Sequence, residues 1–201
     1  MIKIIDCIQG SDEWFDAKRG MMSASNFSKI LNKGSGRGLY MRRLAGERLT
    51  GETQETYSNG NMEAGIELEA AAREYYEELN SCEVEQVGFV KMSDWIGCSP
   101  DGLVSDDGLI EIKSVLPSTH INNILRAKMP TEHIPQVQGQ LFVTGRKWCD
   151  WISFCPAIKV RPFFCVRISR DGKYVNVLEI AISQFVTELQ GMIKKINETR
   201  F

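Results

Sequence analysis

Cys98-Ser99-Pro100-Asp101-Gly102-Leu103-Val104, followed by Ser105-Asp106-Asp107-Gly108 and then Leu109-Ile110-Glu111-Ile112-Lys113-Ser114, reads as a β-hairpin. Two apolar-rich runs, Trp95 to Val104 and Leu109 to Val115, flank Asp106-Asp107-Gly108, a turn sequence in which Asp-Gly tolerates φ > 0. Strand alternation sends Ile110 and Ile112 to one face and Glu111 and Lys113 to the other. Unpaired charge on a half-buried surface is costly, so Glu111 and Lys113 need partners. Asp101, on the first run, is the natural one. Two carboxylates held together repel unless a cation sits between them, and oxygen-only ligation suits Mg²⁺ or Mn²⁺. Lys113 adds a positive charge aimed at a phosphate oxygen or an attacking water. The bland alternative is a surface hairpin with a weak cross-strand ion pair. Ser-Pro-Asp-Gly upstream and the apolar flanks favour the metal site.

The bulk properties allow such an enzyme. A chain of 201 residues, 43% hydrophobic and 25% charged, suits one soluble domain over residues 1–201. No apolar run reaches membrane-span length, and the N-terminal apolar stretch is too short for a signal peptide, so a cytoplasmic protein with no membrane contact is expected. Six scattered cysteines without a Cys-x-x-Cys pair point to reduced, buried thiols. The net charge of −2 lacks the basic surplus usual in nucleic-acid binders, so any DNA contact must rest on locally concentrated cations. The two histidines, His120 and His133, have no metal-ligand spacing.

Around the hairpin, the pattern predicts a helix capped by Ser11 and ending near Gly20, and a second helix start within Met21 to Phe27. Lys33 to Gly38 reads as a Gly-rich loop, and Leu39 to Leu49 as a helix with its leucines inward and Arg42, Arg43 and Arg48 exposed. Gly60 to Leu79 is the clearest helix; Glu69 shares its packed stripe with Gly65, Ala72 and Tyr76. Val84 to Met92 reads as a strand, Pro117 as a helix start, and Ile134 to Gly145 as a helix with Gln136 and Gln140 one turn apart and Gln138 pointing elsewhere. Two strands, Trp148 to Cys155 and Pro162 to Ser169, and a long helix within Tyr174 to Glu198 complete the chain.

Pro100-Asp101 followed by Glu111-Ile112-Lys113 looks like the PD-(D/E)xK nuclease motif. The wording Cys-Ser-Pro-Asp-Gly-Leu is similar to that of the phage lambda exonuclease or YqaJ-type viral recombinase family, and ordered signposts extend the resemblance from Gln9 to Cys155. It implies an α/β, restriction-endonuclease-like fold with a mixed central sheet flanked by helices. It also implies an Mg²⁺-dependent exonuclease, with Mn²⁺ able to substitute, that digests linear double-stranded DNA 5′ to 3′ and releases 5′-mononucleotides. By the same resemblance Asp101, Glu111, the Ile112 carbonyl and Glu69 hold the metal, and Lys113 positions and activates the nucleophile.

The Trp…Gly-x-x-Ser-Ala-Ser segment resembles the family's 5′-phosphate motif, assigning Ser25, Ser99 and either Lys18 or Arg19 to that phosphate. The family's Gln-Val-Gln helix brings Gln136, ahead of Gln138, to the site. Met62 is a candidate wedge at the duplex end, and Arg42, Arg43 and Gln138 are candidate DNA contacts. The resemblance extends to a homotrimeric ring and a single-strand annealing partner. Alternatives are a RecB- or Cas4-like nuclease of different polarity and a non-catalytic DNA-end-binding protein on the same fold.

Overall fold

The computed structural model describes residues 2–32, 34–54 and 59–199. The chain opens with β1 (Lys3–Ile5) and α1 (Asp12–Lys18), whose N-cap Ser11 accepts the Trp14 N–H. It continues through β2 (Met22–Ser23), one 3₁₀ turn (Ala24–Asn26), α2 (Phe27–Leu31), α3 (Ser35–Thr50) and α4 (Asn59–Asn80). Then come β3 (Val84–Glu85), β4 (Phe89–Lys91), β5 (Ile96–Cys98), β6 (Gly102–Val104) and β7 (Gly108–Ser114). The rest is α5 (Pro117–Arg126), α6 (Ile134–Thr144), β8 (Trp148–Phe154), β9 (Phe163–Ser169) and α7 (Gly172–Glu198).

The mixed α/β fold expected from the sequence is present, with its strands in two sheets instead of one. One runs β1-β4-β5-β2 and the other β3-β6-β7-β8-β9, and each contains one parallel pair, β2 with β5 and β7 with β8. The run from Trp95 to Val104 is therefore not a single strand. Ser99-Pro100-Asp101 breaks it, because Pro100 has no N–H for a ladder and the chain there crosses from one sheet to the other. The Val84 to Met92 segment divides in the same way, β3 joining one sheet and β4 the other. In the hairpin turn the left-handed residue is Ser105, at φ 49°, not the Asp-Gly pair.

Two helical expectations also change. Ser35 to Gly38 forms the first turn of α3, so the Gly-rich stretch is helix there, and α3 buries Tyr40, Met41 and Leu44 while Leu39 and Leu49 stay exposed. The α4 prediction holds: Ala72 and Tyr76 are buried and Glu69 on the same stripe is half-buried.

Two packed layers position the hairpin's faces. Ile110 and Ile112 pack with Ala72 and Tyr76 of α4. On the opposite face Leu109 packs with Val137 and Leu141 of α6. The side chains of β7 thus alternate between α4 and α6, which is what puts Glu111 and Lys113 under α6. On another side Gly139 lets α6 pack against α2, since a Cβ there would run into the Phe27 ring. Among the described residues no helix is long and apolar enough to cross a membrane.

Candidate active site

The β6–β7 ladder ends at the Gly102–Ile110 pair, so β7 runs on beyond its neighbour and leaves a backbone edge open. Asp101 fills the missing strand's place: its Oδ2 accepts the Ile112 N–H at 2.6 Å. N–H and C=O of one strand residue point to the same edge, so the Ile112 carbonyl also faces this opening beside Asp101. A Pro that stops the strand and an Asp that replaces it are therefore one structural device.

Glu111 is almost completely buried and accepts from three side chains. Gln136 Nε2 donates to its Oε1 at 2.6 Å and Gln140 Nε2 to its Oε2 at 2.6 Å, while Lys113 Nζ stands 2.5 Å from Oε1. The two amides come from one face of α6, a turn apart. Gln140, buried and with its own Oε1 lacking a partner among the described residues, is a site residue that the family motif did not point to. Its i, i+4 spacing from Gln136 was the available signal.

The electrostatics are those of crowded acids. Burial, and then the charges of Glu111 and Glu69, push the Asp101 carboxyl well above the usual carboxylate range, against the opposing pull of Lys113 and the Ile112 N–H. Burial followed by Glu111 raises Glu69 too, with Arg73 and Lys113 opposing. For Lys113 burial acts to lower the pKa, yet Glu111 and Asp101 outweigh it and hold the ammonium above its ordinary value. Among the described residues no three acidic, histidine or cysteine side chains already stand at metal-ligand spacing. The donor chemistry nevertheless fits a hard divalent cation: Asp101, Glu111, Glu69 and the Ile112 carbonyl offer oxygens only, and a cation would relieve the repulsion that raises Asp101 and Glu69.

Two cavities flank this cluster. The larger, about 330 Å³, is lined by Asp101, Glu69, Arg73 and Gln9. The smaller, about 130 Å³, is lined by Lys18, Ser23, Ser25, Ser99, Gln136 and Gln140, among others. Gln9 belongs to both walls, and its Nε2 donates to the Val87 and Pro100 carbonyls at 3.0 Å each, fixing the loop that carries Ser99 and Asp101. In the smaller cavity Lys18 Nζ lies 3.8 Å from the Trp14 ring centroid. The indole Nε1 is 2.7 Å from Ser99 Oγ, which itself donates to the Gly88 carbonyl at 2.8 Å. Ser25 Oγ shares a hydrogen bond with Ser23 Oγ at 2.9 Å, and Ser23 is a second lining residue beyond those expected.

Other expected positions lie elsewhere. Arg19 is bonded to Asp16 and Thr53 and does not line the smaller cavity, so of the two cations Lys18 is the one the fold brings there. The expected helix start is one 3₁₀ turn and a five-residue helix, too short for an appreciable dipole. Gln138 is buried, donating to the Ser169 carbonyl and accepting the Asp171 N–H, so it is a structural link and not a DNA contact. Arg43 folds onto Tyr40 and Glu47, whereas Arg42 stays exposed. The Met62 side chain lies outside the described residues.

Residues 13–147 match the family described as the YqaJ-like viral recombinase domain. The chain belongs to this family. Among solved structures, the alkaline exonuclease LHK-Exo from Laribacter hongkongensis superposes with a TM-score of 0.86 at 37% identity, over 93% of this chain and 96% of that one. LHK-Exo in complex with dAMP gives a TM-score of 0.86 at 40% identity, over 92% and 96%. A phage related exonuclease from Haemophilus somnus 129PT, 14% identical over 88% of this chain and 96% of that one, has a TM-score of 0.67 and shares the fold. The family's restriction-endonuclease-like fold is the one described above. No curated protein matches the chain.

Proposed function

We propose that this chain is an Mg²⁺-dependent 5′-to-3′ exonuclease that digests linear duplex DNA one nucleotide at a time. The observation that carries the reading is the adjacency of the two cavities. Ser99 in the cationic, hydroxyl-lined cavity and Asp101 at the carboxylate cluster are two residues apart on one loop, with Gln9 as their common wall. A terminal 5′-phosphate held by Lys18, Ser23 and Ser25 would set the following phosphodiester at Asp101 and Glu111. Cleavage there releases a 5′-mononucleotide. The similarity to an alkaline exonuclease, one of whose structures holds dAMP, supports this assignment.

In the reaction the chain's own groups have separate tasks. Gln136, Gln140 and Lys113 fix both oxygens of Glu111, and the Ile112 N–H fixes Asp101, so these two acids are held by hydrogen bonds beside the place a cation would take. When bound, the cation supplies an activated water and neutralises charge developing on the phosphate. Lys113 orients the attacking water and adds positive charge at the same place. A homotrimeric ring, a single-strand annealing partner and a cytoplasmic setting belong to the same reading. The spacings of Cys149, Cys155 and Cys165 do not reproduce the four-cysteine pattern of an iron–sulfur cluster, which disfavours the RecB- or Cas4-like alternative.

An end-labelled linear duplex tests it. With Mg²⁺ the 5′ label is expected to leave as mononucleotide, and Ca²⁺ is expected to support binding without turnover; release from the 3′ end, or no release, would refute the assignment. Lys18→Met combined with Ser25→Ala removes a charge-assisted contact worth roughly 1.5–3 kcal/mol. Any preference for 5′-phosphorylated over 5′-hydroxyl ends is then expected to fall about ten- to hundredfold. An unchanged preference would place the end phosphate elsewhere.

A further inference from the structure

Arg73 sits one turn beyond Glu69 on α4, and the mechanism above does not use it. Its Nε and Nη1 are shut off from solvent and have no hydrogen-bond acceptor among the described residues. Other arginines do find acceptors: Arg37 on Glu188, Arg48 on the Gly20 carbonyl, Arg146 on three backbone carbonyls and Arg167 on Asp150. A guanidinium is charged at every working pH and is a donor only, so unmatched N–H groups at a buried position mark a missing acceptor.

The surroundings say what kind. Arg73 is the one basic side chain among those lining the larger cavity, whose other ionisable walls include Glu69, Asp101 and Asp6. Its charge already opposes the upward shift that burial and Glu111 impose on Glu69. An i, i+4 ion pair with Glu69 alone would have given its buried nitrogens an acceptor, and they have none.

We propose that Arg73 binds the phosphodiester that follows the terminal phosphate of the substrate strand, within this cavity, on the side of the carboxylate cluster reached by α4. Lys113 approaches the same cluster from the α6 face of β7. The acids keep anions out until a divalent cation offsets them; the planar guanidinium fork then meets two phosphate oxygens at once. Arg73 is thus a substrate-binding residue whose partner arrives with the metal. This rests on the nuclease reading for the identity of the strand, but phosphate binding itself can be measured without cleavage.

The test uses full-length protein and, as the probe, a 5′-phosphorylated deoxyadenosine dinucleotide, which carries the internal phosphodiester, with dAMP, which carries the terminal phosphate alone, as the control that Arg73 variants leave unchanged. Affinity is measured calorimetrically with Ca²⁺ and without it, for the wild type, Arg73→Met and Arg73→Lys, alongside thermal melting and steady-state digestion of linear duplex in Mg²⁺. For the wild type, tight dinucleotide binding is expected only with Ca²⁺. Arg73→Met is expected to weaken it at least tenfold and to raise KM about as much, with melting unchanged or higher. Arg73→Lys, which keeps the charge and loses the fork, is expected to recover part of the affinity and serves as the readout should the Met variant fail to fold.

Unchanged dinucleotide affinity and KM in a folded Arg73 variant would overturn the proposal, as would wild-type protein that ignores the dinucleotide in Ca²⁺. The two readings fail separately. Loss of dinucleotide binding in Arg73→Met from a wild type that cuts no DNA would support Arg73 and sink the nuclease reading. Normal cleavage with an indifferent Arg73 would do the reverse.

Discussion

Replacing Asp101 by asparagine is expected to reduce DNA cleavage by more than about 100-fold, the loss that removing even an outer-shell group can cause, while making the metal-free protein more resistant to heat. The second half follows from the sign of its pKa shift. Burial, Glu111 and Glu69 raise the Asp101 carboxyl in the folded state above its value in the unfolded chain. Between those two values the folded protein binds more protons than the unfolded one, so stability falls as pH rises through that window, and the deficit persists above it. At neutral pH Asp101 therefore destabilises the metal-free fold. Asparagine removes the charge, and its side-chain oxygen can still accept the Ile112 N–H. Calorimetric melting in chelator at neutral pH should show a higher Tm for Asp101→Asn than for the wild type, and Mg²⁺ should raise the Tm of the wild type alone. A lower Tm for the variant would mean that Asp101 serves the fold through a contact beyond that hydrogen bond.

The same shift makes metal binding pH-dependent. Protons compete with the cation for Asp101 and Glu69, whose pKa values both lie above the ordinary range, so Mg²⁺ or Mn²⁺ affinity is expected to rise as pH increases through them. Activity would rise on the same limb.

What could be read from the sequence is what lies close together along it. Asp101, Glu111 and Lys113 occupy one short hairpin, and the two-residue period of a strand fixes which of them share a face. Glu69 was legible because its neighbours at helical spacing are small or aromatic, and two of them, Ala72 and Tyr76, are buried as that pattern requires, while Gly65 is only partly so. Gln9 was not legible as a site residue, because what places it is contact across long stretches of chain, whereas Gln140, Ser23 and Arg73 carried only their nearness to Gln136, Ser25 and Glu69. Gln9 matters through hydrogen bonds to Val87 and Pro100. The division into two sheets was hidden for a related reason. Strands of two or three residues carry too little alternation to declare a partner, and Ser99-Pro100-Asp101 looks like strand until one asks where the Ile112 N–H is satisfied. The inward face of α3 went to Tyr40 and Met41, not Leu39 and Leu49, since α7 lies against that side of the helix and Phe185 packs on Tyr40.

Lys113→Met is expected to lower kcat by about 10²–10⁴, the usual worth of a positioned group that acts on a proton or on developing charge, and to leave folding and DNA binding in Ca²⁺ nearly intact. The reason is redundancy around Glu111. With Lys113 gone, Gln136 and Gln140 still hold one oxygen each at 2.6 Å, so the carboxylate stays where the metal needs it. What disappears is the one cation standing 2.5 Å from Oε1. Lys113→Arg should not restore the rate. The Lys113 side chain is only 28% exposed, and a guanidinium is broader, cannot give up a proton and would have to displace Gln136 from the oxygen they share. Single-turnover cleavage with Mg²⁺, set beside Mn²⁺ affinity for each variant, separates the possibilities. Loss of rate with metal affinity kept within a few-fold is the expected result. A parallel loss of metal binding would reassign Lys113 from the chemical step to holding Glu111 in place, and a Lys113→Arg variant as fast as wild type would show that only the positive charge matters.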